Sequence, residues 1–400
     1  MNRKQFVILL VVVIVLGAWG WQRWRKQTSS WSGGGSAVGQ KLLGDFPIND
    51  VAQISIKQGT NELNLVKEAD LWRVRERGNY PANFSEISSV LLKLKDLKII
   101  QTETVGSSQL PRLELAAGGA KSPTTVEFRD AGGKVIKSLV LGKKHVKKGG
   151  QRSPMMDDDG EGGWPDGRYV LASGAADQVA LVSEPLANLE TAAGPWLNKD
   201  FFKIEKAKSI AVSFPNTTNS WHLVRETEGA ELKFAAPKAG EELDSAKVAS
   251  AANPFSSPSL SDVVVGAAAE QTGLDKPTVV TIETFEGFSY TIKVGSKTND
   301  NYYFTVSSSA QFPAERAAGP DEKPEDKAKL DKEFADRQKQ LQEKLAAEKN
   351  FAPWTYLVTG WTVEPLLKER SQLLVEKKAD EPKASSPADE KPVGEVPDAK

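Results

Sequence analysis

Short runs in which apolar and polar residues alternate dominate the chain from residue 42 onward. The run from Val51 to Ile56 has the period of two that a half-buried strand requires. A β-meander is predicted over four later runs, 124–128, 135–141, 169–172 and 179–182. Stretches with helical spacing interrupt the strands, but not in the strict alternation typical of a parallel sheet. The pattern therefore predicts an α+β fold of mixed or antiparallel sheets with packed helices.

A helix is predicted to follow Asn83, because Asn83 and Glu86 have capping-box spacing. Four apolar residues then recur on one face: Phe84, Ile87, Leu91 and Leu94. A second helix is predicted to begin at Pro185, since proline is favoured in the first turn of a helix.

An internal repeat relates two halves of the chain. Asp45-Phe46, followed by the strand 51–56, resembles Asp200-Phe201, followed by 209–214. The later matches are Asn61 with Asn219, Leu65-Val66 with Leu223-Val224, Trp72 with Leu232 to Phe234, Pro123-Thr124 with Pro277-Thr278, Tyr169-Val170 with Tyr303-Phe304, and Glu184 to Leu186 with Glu364 to Leu366. We therefore predict a first repeat over 42–199 with an insertion from His145 to Pro165. A second repeat is predicted over 200–376, with a charged helical insertion at about 313–350.

The N-terminal residues Phe6 to Trp21 are uncharged and apolar, and Trp19, Trp21 and Trp24 cluster at one end. This pattern predicts a transmembrane anchor over residues 1–27, in contact with an inner membrane through residues 6–24. The alternative is a cleaved signal peptide, but no small-x-small site closes the apolar run. Basic residues flank the run on both sides, so charge alone does not orient it.

Three further segments have distinctive compositions. Residues 28–41 form a predicted Gly/Ser linker, and residues 377–400 form a predicted disordered tail. The highly charged stretch Lys323 to Lys349 is a predicted helix with a narrow apolar stripe: Leu330, Phe334, Leu341 and Leu345. This helix is either a solvated protrusion or a coiled coil that binds a partner.

Composition restricts the chemistry. The formal net charge is −1, without the basic excess expected of a nucleic-acid-binding protein, so no nucleic acid is expected as a partner. The chain has no cysteine and two histidines, which removes disulfides, thiolate nucleophiles and cysteine metal sites. Nucleotide-binding and nucleophile-elbow motifs do not occur. We therefore predict a protein that is not an enzyme, with no catalytic, cofactor-binding or metal-binding residues.

Several motifs keep a second interpretation. His145 lies in the basic stretch 143–148, a solvated loop or a surface for acidic lipid or an acidic partner, and His222 lies in a predicted strand. The acidic stretch from Asp157 to Gly162 copies the start of an EF-hand loop, but Arg168 stands where a bidentate glutamate is needed. Among the tryptophans, four are expected in the core: Trp72, Trp196, Trp221 and Trp361. Two are expected in loops, where they could stack on a sugar: Trp164 and Trp354.

Three short motifs carry a resemblance to a known family. They are Leu71-Trp72-Arg73-Val74, then Tyr80-Pro81-Ala82, then the leucine-rich stretch Val90 to Leu94, all after a single apolar N-terminal segment. The chain from Leu42 to Val375 resembles a bacterial membrane-anchored domain-of-unknown-function family whose genes lie beside ABC-type transporters of the gliding-motility kind. The resemblance implies an extracytoplasmic accessory protein, and it carries over no catalytic residues.

These observations predict a non-enzymatic accessory protein of the cell envelope, tethered to the inner membrane. It would dock a transporter permease or another envelope protein through its repeat edges or its charged helix. The alternative is an extracytoplasmic module that holds a small molecule or a glycan between the two repeats.

Overall fold

The computed structural model describes residues 37–146, 165–172, 178–253, 255–317 and 322–375. In these ranges the chain forms a nine-stranded and an eight-stranded sheet, and every strand pairing is antiparallel. Five α-helices accompany the sheets in the described ranges, and two of them are a single turn of four residues. The predicted α+β class of mixed or antiparallel sheets with packed helices is therefore wrong, because the described ranges consist mostly of two large antiparallel sheets.

The first sheet has the strand order β4-β3-β2-β1-β6-β7-β8-β9-β5. Its strands are β1 Gln53–Gln58, β2 Asn61–Glu68, β3 Leu71–Val74, β4 Tyr80–Pro81, β5 Ile99–Thr104, β6 Thr124–Arg129, β7 Val135–Val146, β8 Pro165–Ala172 and β9 Gln178–Val182. Helix α1 Phe84–Asp96 connects β4 to β5, and the 3₁₀ turn Leu110–Leu113 lies between β5 and β6.

The second sheet has the order β12-β11-β10-β14-β15-β16-β17-β13. Its strands are β10 Ala207–Ser213, β11 Trp221–Val224, β12 Lys233–Phe234, β13 Leu260–Val264, β14 Thr278–Thr284, β15 Phe288–Thr298, β16 Asn301–Ala310 and β17 Thr355–Thr359. The helices are α2 Ser245–Ala252, α3 Ala269–Thr272, α4 Pro324–Lys349 and α5 Gly360–Val363.

Without the two-residue strand β4, the two sheets have the same strand order. Their register also agrees, because Ile54 lies opposite Phe128 as Ile210 lies opposite Ile282. Each sheet also has one isolated bridge at the same place, Ala82 with Leu197 in the first and Leu243 with Leu374 in the second. Residues that match at an offset of about 155 in the sequence therefore occupy equivalent places in the two sheets.

One sequence match needs a shift. The backbone N–H of Leu189 donates to the carbonyl of Leu186, and that of Leu366 donates to the carbonyl of Val363. Counted back from the Leu197 and Leu374 bridges, Leu186 is therefore equivalent to Val363 rather than to Leu366.

Helix α1 begins as predicted. The side chain of Asn83 accepts a hydrogen bond from the backbone N–H of Glu86 at 3.3 Å, which satisfies one free donor of the first turn. The buried face consists of Ile87, Val90, Leu91 and Leu94. Phe84 is 65% exposed and does not belong to that face.

The helix predicted from Pro185 is wrong. The segment after β9 consists of turns and the 3₁₀ turn Gly194–Trp196. Leu186 has a φ of 46°, in the left-handed region that a right-handed helix excludes. Proline at the start of a segment is compatible with a turn as well as with a helix.

The charged helix is confirmed as α4. Its C-terminal half packs on the second sheet through the buried residues Leu341 and Glu348, while Leu330 and Phe334 in its N-terminal half are only partly buried. The packing of its C-terminal half on the sheet is not what the solvated protrusion predicts, and binding of a partner as a coiled coil stays a prediction.

The predicted anchor, residues 1–27 with membrane contact through 6–24, lies outside the described residues, as do residues 28–36 of the linker and the tail 377–400. None of the helices that the structure describes is both long and apolar enough to cross a membrane. The longest, α4, has 26 residues and carries charge around its surface. This finding contradicts the prediction of a single-pass protein of the inner membrane.

Candidate functional site

The two sheets meet where the turn after β3 contacts the strand β13, and we call this contact the junction. Arg77 donates from Nε and Nη2 to the two carboxylate oxygens of Asp262 at 2.7 and 2.8 Å. This planar, two-bonded geometry is the strongest form of ion pair that a side chain makes. Both side chains are about a quarter exposed, so water screens part of the attraction.

Neighbouring residues hold Arg77 in place. The carboxylate of Glu76 accepts hydrogen bonds from the backbone N–H and the side-chain amide of Asn64, both at 2.8 Å. Gly78 follows with a φ of 63°, and a Cβ built on it would lie 3.3 Å from Trp354 and from Val265. A glycine at this position therefore allows both the turn and the close approach of the second sheet.

An aromatic cluster fills the junction beside the ion pair. The ring of Tyr80 lies edge-to-face on Trp354 at 5.1 Å and on Tyr356 at 6.2 Å. Phe201 in turn contacts Tyr356 at 4.8 Å. Burial raises the pKa of Tyr80 to about 12, so its hydroxyl remains protonated at neutral pH. The cluster is a packed contact between the sheets, since its rings face one another.

The connecting segment between the sheets also contacts β13. The ammonium group of Lys199 donates to the carbonyls of Leu260 and Ser261 at 3.0 and 3.2 Å. The strand has a bulge between Leu260 and Asp262, which interrupts its pairing with β17. Burial lowers the pKa of Lys199. Strand β13, the last strand of its sheet, is thus covered by the turn and the connecting segment.

Strand β5 is the equivalent last strand of the first sheet, and it has the same bulge, between Ile99 and Gln101. Its first residue exchanges hydrogen bonds with Gly39 and Gln40. Beyond that point Ile100, at the position equivalent to Ser261, is 46% exposed. No further strand pairs with its outer side among the described residues. We call residues 100–104 the β5 edge.

The clefts that we describe lie in the first repeat. One of about 640 Å³ is lined by Asp50, Asp70 and Asp130, and another of about 220 Å³ follows Glu184 to Leu189. A third, of about 320 Å³, lies beside Arg112 and Lys143. None of the three is lined by residues of both repeats, so they do not support a ligand held between the repeats.

Both histidines have polar partners. His145 Nδ1 lies 2.6 Å from Asp166 Oδ1, and His222 Nε2 lies 2.8 Å from Ser209 Oγ. In the first repeat the equivalent of the second pair is Gln53 with Asn64, which are also hydrogen-bonded across two strands. His222 therefore takes the place of an ordinary cross-strand polar pair. In the part of the chain that the structure describes, no group of three histidines or carboxylates could hold a metal ion.

The tryptophans divide differently from the prediction. Trp72, Trp196 and Trp221 are buried, as predicted for core residues. Trp361 is 62% exposed, so its assignment to the core is wrong, and Trp354 packs on Tyr80 instead of standing in an open loop. Trp164, the acidic stretch 157–162 and the basic residues 147–148 lie outside the described residues, so calcium binding there stays untested.

A buried carboxylate that the sequence analysis missed lies on the face of α4 that packs on the second sheet. Glu348 accepts hydrogen bonds from the hydroxyl of Tyr290 at 2.7 Å and from the backbone N–H of Lys203 at 3.4 Å. Burial raises the pKa of Glu348 and also that of Tyr290. Both oxygens of the carboxylate bind the protein itself, so we assign Glu348 to holding α4 on the sheet.

Comparison with protein-family models, with curated proteins and with solved structures found no match for this chain. The family resemblance in the sequence motifs therefore stays a prediction.

Proposed function

We propose that this chain is a non-enzymatic accessory protein that binds another protein through the β5 edge. One observation carries the proposal: the equivalent strand of the second repeat, β13, is contacted within the chain by the ion pair from Arg77 and by the hydrogen bonds from Lys199. The first repeat has the same strand and the same bulge, and no strand of the described ranges pairs with its outer side.

An open strand edge is a general route to protein recognition. Its outer backbone groups can pair with an extended segment of a partner, and its side chains then select among partners. Ile100 and Glu103 supply an exposed apolar group and an exposed charge on this edge. The partner is therefore an extended protein segment with an apolar residue opposite Ile100 and a basic residue near Glu103.

The family resemblance indicates which partner to test first. It implies an ABC-type transporter, and we keep a subunit of such a transporter as the proposed partner. The ligand-binding alternative has no comparable support, because the junction is filled with side chains.

A photocrosslinking experiment tests the proposal. A photoreactive phenylalanine analogue is placed at Ile100 of the full chain in its native cells, and adducts are identified by mass spectrometry. The matched control places the same analogue at Ser261, the equivalent position on the covered strand β13. We expect an adduct with a second protein from position 100, and only crosslinks within the chain from position 261.

Equal intermolecular adducts from both positions, or none from position 100, would contradict the proposal. An adduct with a transporter subunit supports the proposed partner, whereas an adduct with an unrelated protein supports docking at the edge and rejects that partner.

A further inference from the structure

The cleft of about 320 Å³ in the first repeat lies between the 3₁₀ turn 110–113 and strand β7. Its lining includes two exposed basic side chains, Arg112 and Lys143, and one carboxylate, Glu114. A loop with two consecutive glycines, residues 118–120, forms its other wall.

A shared glycine brings the turn onto the strand. A Cβ built on Gly142 would lie 2.3 Å from the carbonyl oxygen of Leu113, closer than real Cβ atoms approach. In the second repeat Gly295 has the same relation to Thr272, at 2.2 Å. Both glycines lie in a bulge of equivalent register, so this close contact belongs to the scaffold of both repeats.

The cleft itself belongs to the first repeat alone. Nine residues separate Glu114 from β6, whereas four separate the equivalent Gly273 from β14. The additional residues fold back onto the turn, because a Cβ on Gly119 would lie 2.2 Å from the carbonyl oxygen of Pro111.

Basic residues around the cleft also differ between the two repeats. Three positions around the cleft are basic, and their equivalents in the second repeat are neutral. The pairs are Arg112 with Gln271, Lys143 with Ser296, and Arg168 with Tyr302. The inserted wall and the three basic residues lie at one place. The glycine packing that both repeats share requires neither of them.

Arg168 is the buried member of the three, 7% exposed. Its guanidinium donates to the carbonyls of Gly142 at 2.8 Å and Leu186 at 3.2 Å. It forms no salt bridge within the described ranges, although Glu114 and Glu190 lie within electrostatic reach. A buried cation without a paired carboxylate is unfavourable unless its charge serves another group. The charge of Arg168 therefore partly offsets those of Glu190 and Glu114.

We infer that this cleft binds an acidic peptide segment of a protein partner. The two exposed cations come from different elements, so a chain with neighbouring carboxylates can reach both of them. Pro111 and Ala120 supply apolar contact for its methylene groups. The site is separate from the β5 edge and goes beyond the function proposed above.

A binding measurement on the full chain tests the inference. The probe is a fluorescein-labelled hexaglutamate peptide, followed by anisotropy at low ionic strength, where charge pairing is least screened. The test variant is Arg112→Gln with Lys143→Ser, which installs the residues of the second repeat. The control is Lys208→Ser with Lys293→Ser, which removes two exposed lysines of the second sheet and changes the net charge equally.

We expect the test variant to bind hexaglutamate about tenfold more weakly or worse, and the control variant to bind as the wild type does. All four side chains are exposed, so unfolding curves should agree among the three proteins. The inference fails if the wild type does not bind, or if both variants lose affinity equally. It also fails if millimolar inorganic phosphate, but not chloride of equal ionic strength, displaces the peptide, because the cleft would then be a phosphate site.

Discussion

Strand β13, which is covered within the chain, and strand β5, which has no outer neighbour among the described strands, are equivalent elements of the two sheets. Both are last in their sheets, and both carry a bulge at the same register position. The residues of the second sheet that contact the turn after β3 have small or polar equivalents in the first sheet. Asp262 corresponds to Gln101, Tyr356 to Ala180 and Trp354 to Gln178.

The covering turn differs between the repeats in the same way. Counted from the equivalent helix caps Asn83 and Asp244, Tyr80 corresponds to Glu241. Arg370 forms a two-bonded ion pair with Glu241 and lowers the pKa of that carboxyl to about 2. The second turn therefore lacks the aromatic group needed at a junction. The two edges therefore differ in a few side chains, whereas their strand order and bulge register agree.

The largest expected effect comes from removing the ring of Tyr80. Tyr80→Ala should lower the free energy of unfolding by about 3–5 kcal/mol, because a buried aromatic side chain leaves a cavity between the sheets. Urea unfolding measures the loss. Tyr80→Phe keeps the ring and should lose much less. If both variants unfold at the wild-type urea concentration, the aromatic cluster does not hold the junction.

A smaller effect should accompany a methyl group at either bulge. Gly142→Ala and Gly295→Ala should each lower the free energy of unfolding by about 1–3 kcal/mol, since each Cβ meets a backbone carbonyl that must move. Gly106→Ala is the matched control, because nothing lies within 4 Å of its added Cβ. Thermal unfolding of the three variants measures these losses of stability. A loss at one bulge only would show that the repeats do not share this packing.

The ion pair at the junction should contribute less to the free energy of unfolding than the ring of Tyr80 or the bulge glycines. Arg77→Ala should lower the free energy of unfolding by about 1–2 kcal/mol, a charge-assisted bond reduced by partial exposure. A double-mutant cycle with Asp262→Ala isolates the coupling. Lys238→Ala, at the equivalent place in the second turn, should stay within about 0.5 kcal/mol of the wild type. If the losses in the free energy of unfolding from Arg77→Ala and Asp262→Ala simply add in the double variant, the ion pair does not stabilise the junction.

The weakest expected effect concerns α4, which has no counterpart among the described residues of the first repeat. Burial raises the pKa of Glu348 in the folded state above the 4.5 of the unfolded chain. Below that value both states hold the proton. As the pH rises the unfolded state ionises first, so stability falls until the pH passes the folded pKa. Glu348→Gln removes this dependence.

Urea midpoints of the wild type and of Glu348→Gln, measured from about pH 4 to about pH 8, should diverge as the pH rises, with the wild type falling relative to the variant. Parallel curves would show that Glu348 does not titrate in this way, and a wild type that gains stability relative to the variant would reverse the sign of its pKa shift.

Local features of the fold could be predicted from the sequence. The alternation in 51–56 and the cap at Asn83 depend on neighbouring residues only, and the structure has both. The repeat was visible because equivalent strands need apolar residues at equivalent places, as at Ile54 and Ile210.

The candidate sites could not be predicted from neighbouring residues in the same way. Arg77 and Asp262 are 185 residues apart in the sequence, and neither belongs to a periodic pattern. The helix content was overestimated because Pro185 and the apolar residues after it satisfy a helical pattern that the left-handed Leu186 prevents. The cleft beside Lys143 depends on an insertion whose position only the strand register reveals.

The strand order of the first sheet also has a consequence in time. Strand β5 pairs with β9, and 73 residues from 105 to 177 must be synthesised after β5 before β9 begins. At about 5–20 residues per second this interval lasts roughly 4–15 seconds, during which β5 has no partner strand of its own. A nascent chain therefore presents both sides of β5 to its surroundings, and β9 must compete for one side with any segment that binds there first. The order of synthesis makes β5 the part of the first sheet most in need of protection on the ribosome.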